Sequence, residues 1–128
     1  MYSYDRFIKS PWSLVIIGDG RVIFRSRASA LKPLVRYLRS RRDHGGQVII
    51  YDKYIGRAAA MLMTLIGPLE VHTPVISEGG KQVLEQYRIR FHADREVKFL
   101  MGIASDQMCG WEKMSIGKTP TELWDMLK

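Results

Sequence analysis

The side chains with the greatest chemical capacity fall in two short stretches. Asp52-Lys53-Tyr54-Ile55-Gly56-Arg57 precedes an alanine-rich apolar run, and Asp106-Gln107-Met108-Cys109-Gly110-Trp111-Glu112 sits in an aperiodic segment near the end of the chain. In the first stretch a carboxylate and two cations stand at the start of a predicted helix, where free backbone N–H groups form a natural anion site. Arg57 in the first turn opposes the helix dipole, so it calls for a compensating carboxylate, for which Asp52 is the candidate, or for a bound anion. Gly56 and the three alanines after Arg57 allow a ligand to come close, or equally allow tight helix–sheet packing. In the second stretch Cys109 is the only thiol in the chain. It would act as a nucleophile if nearby positive charge or a helix terminus lowered its pKa, with Glu112 three residues on as a general acid or base. The plain alternative makes Cys109 a small buried hydrophobe.

The elements that must position these residues are legible from periodicity. Ser13 to Ile17 and Arg21 to Arg25 are β-rich runs joined by Gly18-Asp19-Gly20, which supplies the positive φ values of a tight hairpin. Leu31, Leu34, Val35 and Leu38 recur at helical spacing, with Pro33 in the first turn and Gly45-Gly46 as the stop. Gln47 to Tyr51 reads as a buried central strand, and about Ile55 to Ile66 as the most buried helix, ending at Gly67-Pro68. Leu69 to Ser77 reads as a strand in which Pro74 points to an edge or a bulge. Ser77 then caps a helix to about Tyr87, and Ile89, Phe91 and Ala93 alternate as a fifth strand. Glu96 to Gly117 reads as an extended loop, and Thr119-Pro-Thr-Glu122 as a capping box opening a final helix. The expected order is β-β-α-β-α-β-α-β followed by that helix.

Composition bounds the rest. The chain has 128 residues, 46% apolar and 26% charged, which suits one domain spanning 1–128 and excludes a disordered chain. The single cysteine excludes an internal disulfide. Apolar stretches fall short of the ~20 residues that span a bilayer, so no membrane partner is expected. Met1-Tyr-Ser-Tyr-Asp-Arg lacks the basic and apolar regions of a secretory signal, and the expectation is a cytoplasmic protein. A net charge of +7 and a pI near 9.8 favour anionic partners, with Arg36, Arg39, Arg41 and Arg42 as the densest cluster. Cations at a helix C-terminus also serve the dipole alone, and no aromatic residue interleaves them for base stacking. The oligomeric state is left open, a homodimer included.

Lys32-Pro33-Leu34, Asp52-Lys53-x-x-Gly56-Arg57-Ala58-Ala59-Ala60, Thr73-Pro74-Val75-Ile76-Ser77-Glu78 and Cys109-Gly110-x-Glu112 resemble, in order and over about residues 12 to 115, the motifs of the domain of unknown function family 1893. Cys-Gly-Trp-Glu stands where that family usually has Cys-Pro-Met-Glu. The resemblance implies a cytidine-deaminase-like fold, a three-layer α-β-α arrangement with a mixed five-stranded sheet and helices on both faces. A zinc deaminase needs a His or Cys and two further Cys ligands plus a proton-shuttling Glu, in the pattern H-x-E followed by P-C-x-x-C. The corresponding helix starts read Ala28-Ser-Ala-Leu-Lys-Pro33 and Tyr54-Ile-Gly-Arg-Ala-Ala59, without a zinc ligand. His92-Ala93-Asp94 mimics the first half of the pattern but falls in a predicted strand, and reads as coincidence.

The sequence therefore points to a domain without metal or cofactor that binds a small anionic or nucleotide-like ligand where helix N-termini converge. The ligand-binding candidates are Lys32, Asp52, Lys53, Gly56, Arg57, Ser77 and Glu78, and the catalytic candidates are Cys109 and Glu112. Two alternatives stand beside it: a cysteine-dependent enzyme using Cys109, and nucleic-acid binding through the Arg36 to Arg42 face.

Overall fold

The computed structural model describes residues 2–40, 47–98 and 110–128. The elements run α1 (Tyr4–Ile8), β1 (Leu14–Gly18), β2 (Arg21–Ser26), α2 (Lys32–Ser40), β3 (Val48–Asp52), β4 (Tyr54–Ile55), α3 (Arg57–Ile66), β5 (Glu70–Ser77), α4 (Glu78–Gln86), β6 (Arg90–Val97), α5 (Gly110–Ser115) and α6 (Pro120–Leu127). The β1–β2 hairpin turns through Asp19 and Gly20, both at positive φ, as the Asp-Gly pair requires. β1 pairs antiparallel with β2 and β3, while β3, β4 and β6 all run parallel to β5.

The sheet has six strands, not the five expected. The additional one is β4, which the sequence pattern absorbs into the next helix. Two residues carry no period of their own, and β4 is defined only by its pairing. Ile49 lies opposite Glu70, Tyr51 opposite His72, and Ile55 opposite Ile76, a constant offset, so β4 prolongs the β3 column beyond a break at Lys53. α3 consequently starts at Arg57, two residues later than the periodicity suggests.

That break is opposite Pro74. β5 has neighbours on both sides, so the edge expectation is corrected, but the register steps over Pro74 toward β6 as toward the β3–β4 column. The fully buried Thr73 bridges the gap: its hydroxyl accepts from the Val75 N–H at 3.3 Å and donates to the Val75 carbonyl at 3.0 Å. A side chain thereby replaces part of the ladder that proline removes.

Three connections, β2 to β3 through α2, β3 to β5 through α3, and β5 to β6 through α4, each advance across the sheet in the same direction. Crossovers of one hand must then put these helices on one face. Leu14, Ile16, Ile50, Val71 and Ile76 of the sheet meet Leu34 of α2, Leu84 of α4, Leu123 of α6 and almost the whole of α3 in one core. Ala58 to Met63 are all buried, which makes α3 the central helix, as its unbroken apolar run predicts. Gly67, at φ +69°, ends it by returning its N–H to the Met63 carbonyl at 3.0 Å. Trp111 packs against this core from α5, within a segment that the sequence reads as loop.

The expectation of helices on both faces is corrected to an unequal arrangement. Among the described residues the opposite face carries only the five-residue α1, whose Phe7 is buried with Val15, Ile17 and Tyr51. Past α1 this face continues as a cross-strand row in which Tyr51 stacks on His72 and His72 on His92, at 5.1 and 5.6 Å between ring centres. His92 thus belongs to a structural stack, and Asp94 accepts a short hydrogen bond from the Tyr4 hydroxyl.

Candidate functional site

A pocket of about 310 Å³ opens beside the start of α3. It is lined by Leu14, Leu34 and the α3 residues Ala58 and Ala59, together with Trp12 and Trp111. Alanines at the first turn of α3 keep that turn's backbone near the cavity, and Gly56, which caps the helix without a side-chain hydrogen bond, also lines it. The first N–H groups of an α-helix have no partner within the helix, so this end of the pocket offers donors.

Asp52 supplies the main acceptor. It sits at the end of β3, pointing to the same side of the sheet as Ile50 and therefore into the pocket. The residue keeps some exposure, yet its carboxyl is enclosed enough that burial raises its pKa from 3.8 to about 7. Hydrogen bonds from the Tyr54 and Lys53 backbones and the Lys53 charge oppose that rise only in part. Near neutral pH this carboxyl is poised between proton donor and acceptor.

Lys53 is the brace of the site. Its ammonium donates to the carbonyls of Ser10 and Trp12, both at 2.9 Å, and lies 4.5 Å from the centre of the Phe7 ring. Burial lowers its pKa, with Asp52 acting in the opposite sense. Lys53 thereby pins the turn that carries Trp12. The guanidinium groups of Arg25 and Arg27 lie over the Trp12 ring, at 4.4 and 4.8 Å from its centre. Ser13 completes the frame with its single hydroxyl proton shared between the carbonyls of Ser26 and Ala28, at 2.9 and 2.6 Å, which ties the Arg27–Leu31 segment to β1.

Of the residues predicted from sequence, Asp52, Lys53 and Gly56 meet at this pocket. Arg57 begins α3 but turns toward α4, where it lies across Gly79 and donates to Gln82 Oε1 at 2.7 Å. Lys32 begins α2 and lines a neighbouring groove. Ser77 is fully buried and caps α4, its hydroxyl accepting from the Gly80 N–H at 3.0 Å, while Glu78 is exposed at the start of that helix. Glu112 falls in α5 with its side chain outside the description, and Cys109 lies outside the described residues.

Sequence reasoning missed Trp12, Arg27, Ala30, Tyr54 and Trp111, all of which line the pocket. The available signal was a pair of tryptophans, each outside any sustained apolar period, where a large ring buries itself only by tertiary contact. Among the described residues Asp52 is the only carboxylate in the lining, which holds no His or Cys, and no three His, Cys, Asp or Glu side chains converge as metal ligands.

The model of the family described as a domain of unknown function, DUF1893, matches residues 4–128. The crystal structure of a DUF1893 family protein from Thermotoga maritima, TM1506, is 31% identical, superposes with a TM-score of 0.85, and is matched over 96% of this chain and 83% of that one. No curated protein matches the chain. With the family motifs placed around α3 and the match running from α1 to the last residue, the chain belongs to the DUF1893 family, whose function is unknown.

Proposed function

We propose that this domain binds a small nucleotide-like ligand, with its planar ring in the pocket between Trp12 and Trp111. The observation that carries the reading is the Asp52 carboxyl, enclosed in an otherwise largely apolar cavity beside the start of α3. Its two backbone hydrogen bonds offset that burial only in part, and a ring bearing N–H groups would add to them while its faces met the indoles. About 310 Å³ lies at the small end of ligand pockets, which suits one ring system more than an extended molecule. The scaffold in this reading is a deaminase-like one from which the metal cage is gone, with Ala58 and Ala59 filling the helix start that would otherwise carry ligands.

The experiment is a thermal-shift series with nucleobases and nucleosides on the wild type and Asp52→Asn. A ligand at 100 times its Kd adds about 2.7 kcal/mol to stability, a shift of several degrees in a chain of this size. The expected result is such a shift for at least one ring type, lost or redirected to a different ring in Asp52→Asn. An unmoved melting temperature across the whole series would sink the reading.

A further inference from the structure

We infer that the ligand of this pocket carries a phosphate, seated against α2 on the far side of Trp111. The inference rests on the ring-pocket reading above and extends it. A groove of about 480 Å³ runs along α2, and it shares Ala30, Leu31 and Trp111 with the ring pocket. Among the described residues its charged lining is cationic: Lys32, Arg36 and Arg39 enter it beside Ser40, and no carboxylate does. These three residues are spaced i, i+4 and i+7, so they share one exposed helix face.

That arrangement works against the helix by itself. Like charges at such spacing destabilise a helix by a few tenths of a kcal/mol per pair, and Lys32 in the first turn opposes the dipole. Among the described residues neither Lys32 nor Arg36 makes an ion pair. Arg39 donates to the Leu127 carbonyl at 2.9 Å, a neutral partner that orients the guanidinium, and among the described residues it makes no ion pair either. No acidic residue occurs between Asp19 and Asp43. A dianion in the groove would meet two forked donors and an ammonium at once.

A separate observation marks the junction between the two cavities. Ala30, which lines both, has φ +57°. The left-handed region costs a non-glycine residue about 1–2 kcal/mol, and alanine has no polar side chain to offset it locally. Such strain persists where the surroundings fix it, and it clusters at ligand clamps. Here the anchors are the Ser13 bond to the Ala28 carbonyl and the Lys32 N–H bond to the Ser29 carbonyl. Ring pocket, strained turn and cationic face follow one another in the order of base, sugar and phosphate, so the ligand class is a nucleoside monophosphate.

The test is calorimetric titration of the full chain with nucleosides, their 5′-monophosphates and inorganic phosphate, repeated on Arg36→Ala and Arg36→Lys. Arg36 is exposed, so folding of both variants is expected and is checked by circular dichroism. The expected result is a monophosphate that binds about tenfold or more tighter than its nucleoside. That advantage should fall to near unity in Arg36→Ala, return in part in Arg36→Lys, and leave nucleoside affinity unchanged throughout. A nucleoside that binds as well as its monophosphate would overturn the phosphate inference and leave the ring pocket standing. An advantage that survives Arg36→Ala would overturn it too. Absence of binding by both classes would remove both readings. Salt-steep binding of single-stranded oligonucleotides, with no response to mononucleotides, would reassign the α2 face to nucleic acid and overturn the inference.

Discussion

Gly80, in the first turn of α4, is packed against Gly56, the residue that caps α3: a Cβ on Gly80 would stand 3.1 Å from the Gly56 oxygen and 3.0 Å from that of Ile55. Both neighbours are backbone atoms and neither yields easily. Glycine is therefore what lets the starts of α3 and α4 meet, and the pocket wall at Gly56 depends on a residue outside the pocket. Gly80→Ala should destabilise the fold by about 1–3 kcal/mol in urea titrations, as overpacking does. At the adjacent Gly79 an added Cβ meets the Arg57 side chain instead. Gly79→Ala should cost less, because the guanidinium can swing aside and alanine favours the helix by about 0.5–1 kcal/mol, which leaves only the Arg57 Cβ, at 3.1 Å, to give way.

Asp52 imposes a pH dependence whose sign is opposite to that of most acidic residues. Its folded pKa is raised from 3.8 to about 7, so between those values the folded chain keeps a proton that the unfolded chain has released. The contribution of Asp52 to stability therefore falls as pH rises from about 4 to 7. Its partial exposure reduces the effect below the full shift, to about 1–3 kcal/mol. Asp52→Asn should be more stable than the wild type above pH 7, and the difference should vanish near pH 4. Paired denaturation curves at the two pH values measure this, and an equal gap at both would remove the argument.

Thr73→Val keeps the shape of a fully buried side chain and deletes the hydroxyl that serves both the N–H and the carbonyl of Val75. The expected loss is about 1–3 kcal/mol, the usual cost of stranding buried polar groups. Hydrogen exchange at Val75 should accelerate out of proportion to the rest of β5.

The capping box of α6 has both of its bonds, Thr119 N–H to Glu122 Oε1 at 2.9 Å and Glu122 N–H to Thr119 Oγ1 at 3.2 Å. Thr119→Ala should cost about 1 kcal/mol. The bond from the Thr119 backbone lowers the pKa of Glu122. Its contribution is thus present above the ordinary glutamate value and lost as pH falls through the lowered one. Glu122→Gln should lower stability above the ordinary glutamate value and leave it unchanged in acid, so that the acid-side fall disappears.

The elements that could be read from sequence are those whose signals are local. Gly18-Asp19-Gly20 states a hairpin, Ser77 and Thr119 state helix starts, and the run from Ala58 to Ile66 states a helix closed in on all sides. The elements that escaped are defined by what they touch. α1 is five residues held by Phe7 beneath the sheet, and β4 is two residues defined by β5. The helices gather on one face because successive crossovers march in one direction, a property of strand order that no single segment contains. The candidate site divides in the same way. Asp52, Lys53 and Gly56 were legible as charged and small residues before a buried helix, whereas Trp12, Ala30 and Trp111 become neighbours only when the termini of the chain come together. Arg57 turns toward α4 and donates to Gln82, a neighbour that pattern alone does not bring near.

Because one wall of the pocket is Trp12 and another is Trp111, an occupant touches the beginning and the end of the polypeptide at once. Peeling away either terminus would then mean losing the occupant, so a saturated molecule resists fraying from both directions together. Backbone amides in the turn around Ser10 and in α5, though 100 residues apart in the chain, should slow their exchange in step as ligand is added, while those of the distant β6 edge keep their own pace.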